Sequence, residues 1–396
     1  MPDPALGSTD GDRMTADVGV VGAGPAGLLA ANVLVRAGLD CAVFERLSED
    51  AARARARAGL IEARTVVLLD RHGLSDGLRM RGFTSGACEF RRGGVRHVFD
   101  YAELTGVRHH VYPQQLLVAD LIDELRAVGG DVAFGRAAAA IRIAERPVIV
   151  LADGDEASCD FVLGCDGFHG VSRLALEGAS CSGVDFGAEL LWVDAEVPPS
   201  SDHVVYGLHP DGFAGHMPRT PTVSRLYVQL EPGTDANSLS GEWVWDQLKR
   251  RLAADGIELA PGRVLERGNF ELHSYVTEPM QHGRVLLAGD AAHIVTPASG
   301  KGMNLALQDI DELVAGLLDH YRNGDDRRLD AYGATRLHAI WHAVEFSHWM
   351  LDLLLARPIE GRFREGLRDT RLERLMSGGL FAKEFAIDYV GLPQAS

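Results

Sequence analysis

Cysteine is scarce: the 396 residues hold five (Cys41, Cys88, Cys159, Cys165, Cys181), with no C-x-x-C pair. That gives no sign of a disulfide framework and fits free thiols in a reducing cytoplasm, the expected location. No apolar run approaches the roughly 20 residues that a membrane span needs. Positive charge is short as well. Lys and Arg number 39 against 56 Asp and Glu, a formal net charge of −17, which argues against nucleic acid or an anionic membrane as a partner. Residues 1–13 are polar and lack an apolar core, so they read as a disordered extension ahead of Met14 and not as a signal peptide. There is no internal repeat, no low-complexity linker and no expected metal. What is present is a globular composition, 46% hydrophobic and 24% charged, at a length for two or three domains.

The chain is organised around DVGVVGAGPAGLLAANVLVRAGLDCAVFER, residues 17–46. Residues 18–21 form an apolar run short enough for a buried parallel strand. Gly22, Gly24 and Gly27 follow at G-x-G-x-x-G spacing. Residues 28–36 then carry apolar side chains at helical intervals, Gly38 ends them, and residues 41–44 make a second strand closing on Glu45. Gly22 permits the tight turn, Gly24 lets backbone approach a pyrophosphate, and Gly27 lets helix and strand pack closely. The helix N-terminus aims free N–H groups and its positive dipole end at the phosphates. Glu45 lies 23 residues beyond Gly22, where an acid takes a ribose hydroxyl and opposes a 2′-phosphate. An ADP-containing dinucleotide is expected here.

Arg53, Arg55 and Arg57 alternate directly beyond that unit, where guanidinium forks suit phosphates. Residues 61–69 have helical period, 82–101 are β-rich, 111–128 are helical after Pro113 and Gln114, and 132–149 return as strands. A buried strand at 161–163 runs into Gly164, Asp166 and Gly167, with Arg173 beyond. Residues 184–228 and 270–276 read as strands flanking a helix at 243–252. The run RVLLAGD, 284–290, is another buried strand, ending on Gly289 and Asp290 before a long helix at 304–318; residues 330–383 are mostly helical. The pattern predicts an α/β fold: a Rossmann-like dinucleotide-binding domain interleaved with a β-rich domain, and a helical C-terminal part. The expected divisions are 14–85, 111–185 and 277–330 for the first, 86–110 and 186–276 for the second, and 331–396 for the third.

A lone glycine fingerprint leaves NAD and FAD open. The second and third strand ends favour FAD, because Asp290 beside a helix N-terminus suits a ribityl chain and a flavin ring edge. The order GAGPAG, CDGFHGVSR, GDAAH resembles the FAD-dependent aromatic hydroxylases, group A flavoprotein monooxygenases, and among them the enzymes acting on 4-hydroxybenzoate. RARAGLIE, VYPQQ, EPMQHGR, KGMNLALQD, FSHWM and YVGLP are similar to further blocks of that family, in its order, from Met14 onward. The resemblance implies non-covalent FAD, transient NADH or NADPH without a second dinucleotide fold, O2 activated as a flavin C4a-hydroperoxide, and a homodimer as one possible assembly.

Carried onto this sequence, the resemblance implies FAD contacts at Gly22, Gly24, Gly27, Glu45, Arg55, Arg57, Gln114, Asp166, Gly289, Asp290, Met303 and Asn304. It implies a substrate site of Tyr206, Met217, Arg219, Arg225, Tyr227 and Pro297, with Tyr206, Tyr389 and Pro297 taking part in catalysis. Arg219 and Tyr227 would hold an aryl carboxylate, and Tyr206 with Tyr389 would polarise the ring hydroxyl. Arg46, His169 and His273 would meet the nicotinamide nucleotide. Three departures stand out. Met217 replaces a serine of the carboxylate site, Ser85 replaces a histidine at the end of a proton path, and Leu47, Ala51 and His273 replace polar or basic residues near the nicotinamide. The simplest expectation is 4-hydroxybenzoate to 3,4-dihydroxybenzoate. An aminobenzoate or substituted hydroxybenzoate is the nearest alternative, and a flavin reductase or dehydrogenase that inserts no oxygen is a further one. A flavin- or aryl-acid-sensing module is the non-enzymatic reading.

Overall fold

The computed structural model describes residues 14–55, 57, 59–356 and 361–392. The expected N-terminal extension lies outside the described residues. Val18 and Val20 have no exposure, and this apolar strand, Met14–Val21, is the centre of the first sheet. It pairs in parallel with Cys41–Glu45 on one side and Glu156–Gly164 on the other. Val132–Phe134 and Val285–Leu287 extend the parallel set outward. Gln281–His282, Val148–Leu151 and Ala138–Arg142 add antiparallel pairings at its margins. Helices Pro25–Arg36, Gln114–Ala127 and Gly302–Asn323 pack over it, as a parallel sheet with crossover helices requires.

The second sheet runs in the order His293–Ile294, Arg263–Glu278, Ser180–Glu196, Val223–Leu230, Gly212–Thr220, Val204–His209, Ala87–Arg92, Val95–Asp100. Its pairings are antiparallel except the parallel one between Val204–His209 and Ala87–Arg92. Both its faces are covered. Leu191, Val193, Val205, Ala214, Leu226 and Val228 pack against helix Gly241–Arg251. Cys88, Phe90, Tyr206, Leu208 and Phe213 face the C-terminal helices Arg327–Leu354 and Gly379–Val390. Along the chain the strands pass back and forth between these two sheets, and Leu60–Ile61, His109–Val111 and Phe83–Ser85 form a small third one. Among the described residues no helix is long and apolar enough to cross a membrane.

Candidate active site

The first sheet ends in three turns that meet. Gly22 has φ +99°, and a Cβ there would lie 2.5 Å from the Cys165 carbonyl oxygen, so this turn takes glycine. A Cβ on Gly27 would run into the Gly22 carbonyl oxygen. Gly24, the N-cap of helix Pro25–Arg36, has open space where a side chain would be. Glu45 fastens this loop: one carboxylate oxygen accepts from the Ala23 N–H at 2.8 Å and the other from the Leu47 N–H at 2.9 Å. Each oxygen keeps a lone pair for a ribose hydroxyl. Arg55 stands in a field set by Arg57, Arg46, Glu45 and Asp290; desolvation, then Arg57 and Arg46, hold its guanidinium below its ordinary value.

The second turn, Asp166–Gly167, comes against the third, Gly289–Asp290, with a Gly167 Cβ position 4.0 Å from the Asp290 Cβ. Asp166 Oδ2 accepts from the Ser172 N–H at 3.0 Å, while its buried Oδ1 has no partner among the described residues. Burial raises its carboxyl above the ordinary value. An orphaned buried acceptor, an open Gly24 face and an unpaired helix N-terminus at Gly302 to Asn304 together fit a phosphate-rich dinucleotide carrying polyol hydroxyls. Met303 is half-buried there, and Gln114 is the first residue of its helix. The Asn304 side chain is already engaged. It accepts from the Glu62 N–H at 2.9 Å and donates to the Leu60 and Gly300 carbonyls, which leaves its backbone N–H for a ligand.

One face of the second sheet gathers the expected substrate residues, because alternate positions share a side. Tyr206 lies opposite Gly215 and Phe90, and Gly215 lies opposite Tyr227. Met217 lies opposite Arg225, itself opposite Asp194. The Tyr206 and Tyr389 hydroxyls are 2.9 Å apart, and the Tyr206 hydroxyl is 3.4 Å from the Ala298 carbonyl oxygen, next to the exposed Pro297. Burial raises both phenols, so each stays protonated. Arg225 is bound in a fork to Asp194, 2.7 Å on each arm, and lies over the Trp192 ring. Arg219 donates to the Arg57 carbonyl at 2.6 Å and Gln115 Oε1 at 3.1 Å, and stands 3.8 Å from Asp194. Burial, then Arg225, lowers its guanidinium. Two buried guanidiniums therefore share one carboxylate. Met217 packs with Leu60 and Val111.

Several contributors were invisible in the sequence. Buried Lys301 donates to Glu62 at 2.7 Å and to the Tyr389 carbonyl at 2.9 Å. Against the burial that would raise it, Lys301 and Arg64 hold the Glu62 carboxyl low. Ser85 Oγ meets His203 Nδ1 at 3.3 Å, and the Tyr101 hydroxyl donates to the Ser85 carbonyl at 2.7 Å. His169 and His273 converge on Phe168, with ring centres at 4.9 and 5.3 Å, and Arg173 lies over Phe168 and Tyr275. Arg46 is exposed, and its charge acts on Arg55.

The glycine turns of the parallel sheet are tied through Arg57, Ala298 and Asp290 to the antiparallel sheet, and the family that this chain matches makes it an FAD-dependent aromatic monooxygenase. The FAD binding domain family matches residues 15–347, and the chain belongs to it, among the FAD-dependent aromatic hydroxylases that use FAD, NAD(P)H and O2. It is 33% identical over 390 residues to p-hydroxybenzoate hydroxylase of Acinetobacter baylyi, covering 96% of each chain. It is 30% identical to 3-amino-4-hydroxybenzoate 2-monooxygenase of Streptomyces cremeus, over 81% of this chain and 83% of that one. Among solved structures, the anhydrotetracycline hydroxylase of Streptomyces rimosus matches with TM-score 0.76 and 27% identity, over 97% of this chain and 78% of that one.

Proposed function

We propose that this monooxygenase hydroxylates a small aromatic carboxylate bearing a ring hydroxyl, most simply 4-hydroxybenzoate to 3,4-dihydroxybenzoate. The observation that carries the reading is the pairing of Arg219 and Arg225 with the single carboxylate of Asp194. The two buried guanidiniums have one buried carboxylate between them, with exposed Glu266 the other acid acting on Arg219, and an aryl carboxylate would supply a further buried anion. Gly215, opposite Tyr206, lies four residues before Arg219, which falls where the strand register breaks between Pro218 and Thr220. A ring anchored by its carboxylate at the arginine would extend towards the tyrosine pair. Tyr206, hydrogen-bonded to Tyr389, would accept a hydrogen bond from the ring hydroxyl, which polarises the O–H bond and makes the ring a better nucleophile. When bound, FAD supplies the electrons taken from the pyridine nucleotide and an electrophilic oxygen derived from O2.

Gly22, Gly24, Gly27, Glu45, Arg55, Arg57, Gln114, Asp166, Gly289, Asp290, Met303 and Asn304 would hold FAD. Arg219, Tyr227 and Met217 would enclose the carboxylate end, and Pro297 would shape the meeting of ring and cofactor. In this reading Arg225 acts through Asp194, since its fork is taken. His169, His273 and Arg46 would meet the nicotinamide nucleotide, with Phe168 and Arg173 beside the two histidines. The apolar packing of Met217 favours a second reading, in which the native ring is an aminobenzoate or a substituted hydroxybenzoate. The test is a panel of aryl acids scored by stimulated NAD(P)H oxidation and product mass. Equal stimulation by neutral phenols and their carboxylates would remove the carboxylate assignment.

A further inference from the structure

We infer that Asp309, with His293 and Arg336, is a positioning residue for the cofactor: a buried three-donor knot that sets the Gly289–Asp290 turn against the N-terminus of helix Gly302–Asn323 before FAD arrives. Asp309 has no exposure and so touches no ligand. Its Oδ2 accepts from the Gly289 N–H at 3.0 Å and from His293 Nε2 at 2.7 Å, and its Oδ1 from Arg336 Nε at 2.7 Å. A carboxylate only accepts, so His293 Nε2 carries a hydrogen. Arg336 supplies the compensating charge; burial would raise the Asp309 carboxyl, and His293 and Arg336 hold it below its ordinary value.

The knot joins parts that local structure leaves loose. Gly289 has φ +60°, and a Cβ there would lie 3.0 Å from the Ala306 Cβ, so the turn is pressed onto the helix that carries Asp309. The Tyr332 hydroxyl grips the Leu287 carbonyl at 2.7 Å, and the Tyr275 hydroxyl donates to the Asp290 carbonyl. Arg336 and Tyr332 both come from helix Arg327–Leu354, which thereby reaches the proposed flavin turn. His293 lies on the short strand that leads from this turn towards Pro297 and Ala298, whose carbonyl faces Tyr206. One carboxylate thus fixes the turn, the helix end and the strand between the proposed cofactor and ring sites.

The test is FAD binding to apoprotein, followed by flavin fluorescence, for wild type, Asp309→Asn, His293→Leu and His293→Gln, with the melting of each apoprotein measured in parallel. An amide nitrogen at 309 faces one of the donors without accepting, so Asp309→Asn should weaken FAD binding about 5- to 150-fold. His293→Leu should weaken it in the same direction, and His293→Gln, whose amide can donate to Asp309, should return to within about threefold of wild type. Wild-type affinity in His293→Leu, or a loss that His293→Gln does not restore, would overturn the inference. A loss of FAD that only follows loss of the apoprotein fold would do so too. If Asp309→Asn does not fold, the two His293 variants decide the matter alone.

Discussion

Arg219→Met removes one guanidinium and nearly preserves volume. Asp194 then pairs with Arg225 alone, fork to fork at 2.7 Å, and the buried positive charge falls by one. The carboxylate of an aryl acid loses a charge-assisted bond of about 1.5–3 kcal/mol, so its Kd should rise about 10- to 150-fold. The fold should lose little, because Arg57 is exposed and Gln115 half-buried, so the groups that Arg219 served can turn to water. Arg225→Met reverses the balance. Asp194 would be left buried with Arg219 at 3.8 Å, a broken pair costing about 3–5 kcal/mol, so melting temperature should fall before affinity can be read. The assay is the change in flavin absorbance on titration with matched pairs, each an aryl acid and its neutral phenol. Equal losses for both members on Arg219→Met, or no loss for the acid, would refute the charge argument.

Gly27→Ala should abolish stable FAD retention, because its Cβ meets the Gly22 carbonyl oxygen; purification of a yellow variant with wild-type flavin content would contradict this. Leu47, Ala51 and His273 offer no cluster of positive charge for a 2′-phosphate, so NADH should be used at least as well as NADPH. A hundredfold advantage of NADPH in kcat/KM, about 2.7 kcal/mol, would show that other residues read the phosphate. Burial pushes the imidazoles of His109 and His216 down to about 3. In the unfolded chain each binds its proton near 6.5, so stability is complete above that pH and declines as pH falls towards 3, by at most about 2.7 kcal/mol per unit for the two. A melting temperature unchanged between pH 7 and pH 5 would count against it.

The cradle was legible because its signals are local. Gly22, Gly24, Gly27 and Glu45 lie within one strand–helix–strand unit, and Pro113 fixes where helix Gln114–Ala127 begins. Period-two spacing likewise puts Gly215 and Met217 on one face, while a break in the register between Pro218 and Thr220 falls at Arg219. What stayed hidden depends on tertiary register. Asp194 reaches Arg225 through the pairing of strands Ser180–Glu196 and Val223–Leu230, which no local pattern specifies. Glu62 and Lys301 meet from 239 positions apart, and His203 comes to Ser85 from 118 positions away. The same cause bears on roles: Arg225 and Asn304 are expected at the site, and their side chains are committed to Asp194 and to the Leu60–Glu62 segment. Residues 263–278 form one strand, of which only 270–276 carried a clear pattern, since much of the rest is exposed.

The most direct measurement is aryl-acid-dependent NADH or NADPH oxidation under labelled O2, with the mass of the product determined. One labelled oxygen atom in the ring of a product that keeps its carboxylate is the predicted result. Nucleotide oxidation that leaves the aryl acid unlabelled and unchanged in mass would contradict ring hydroxylation of an aryl acid.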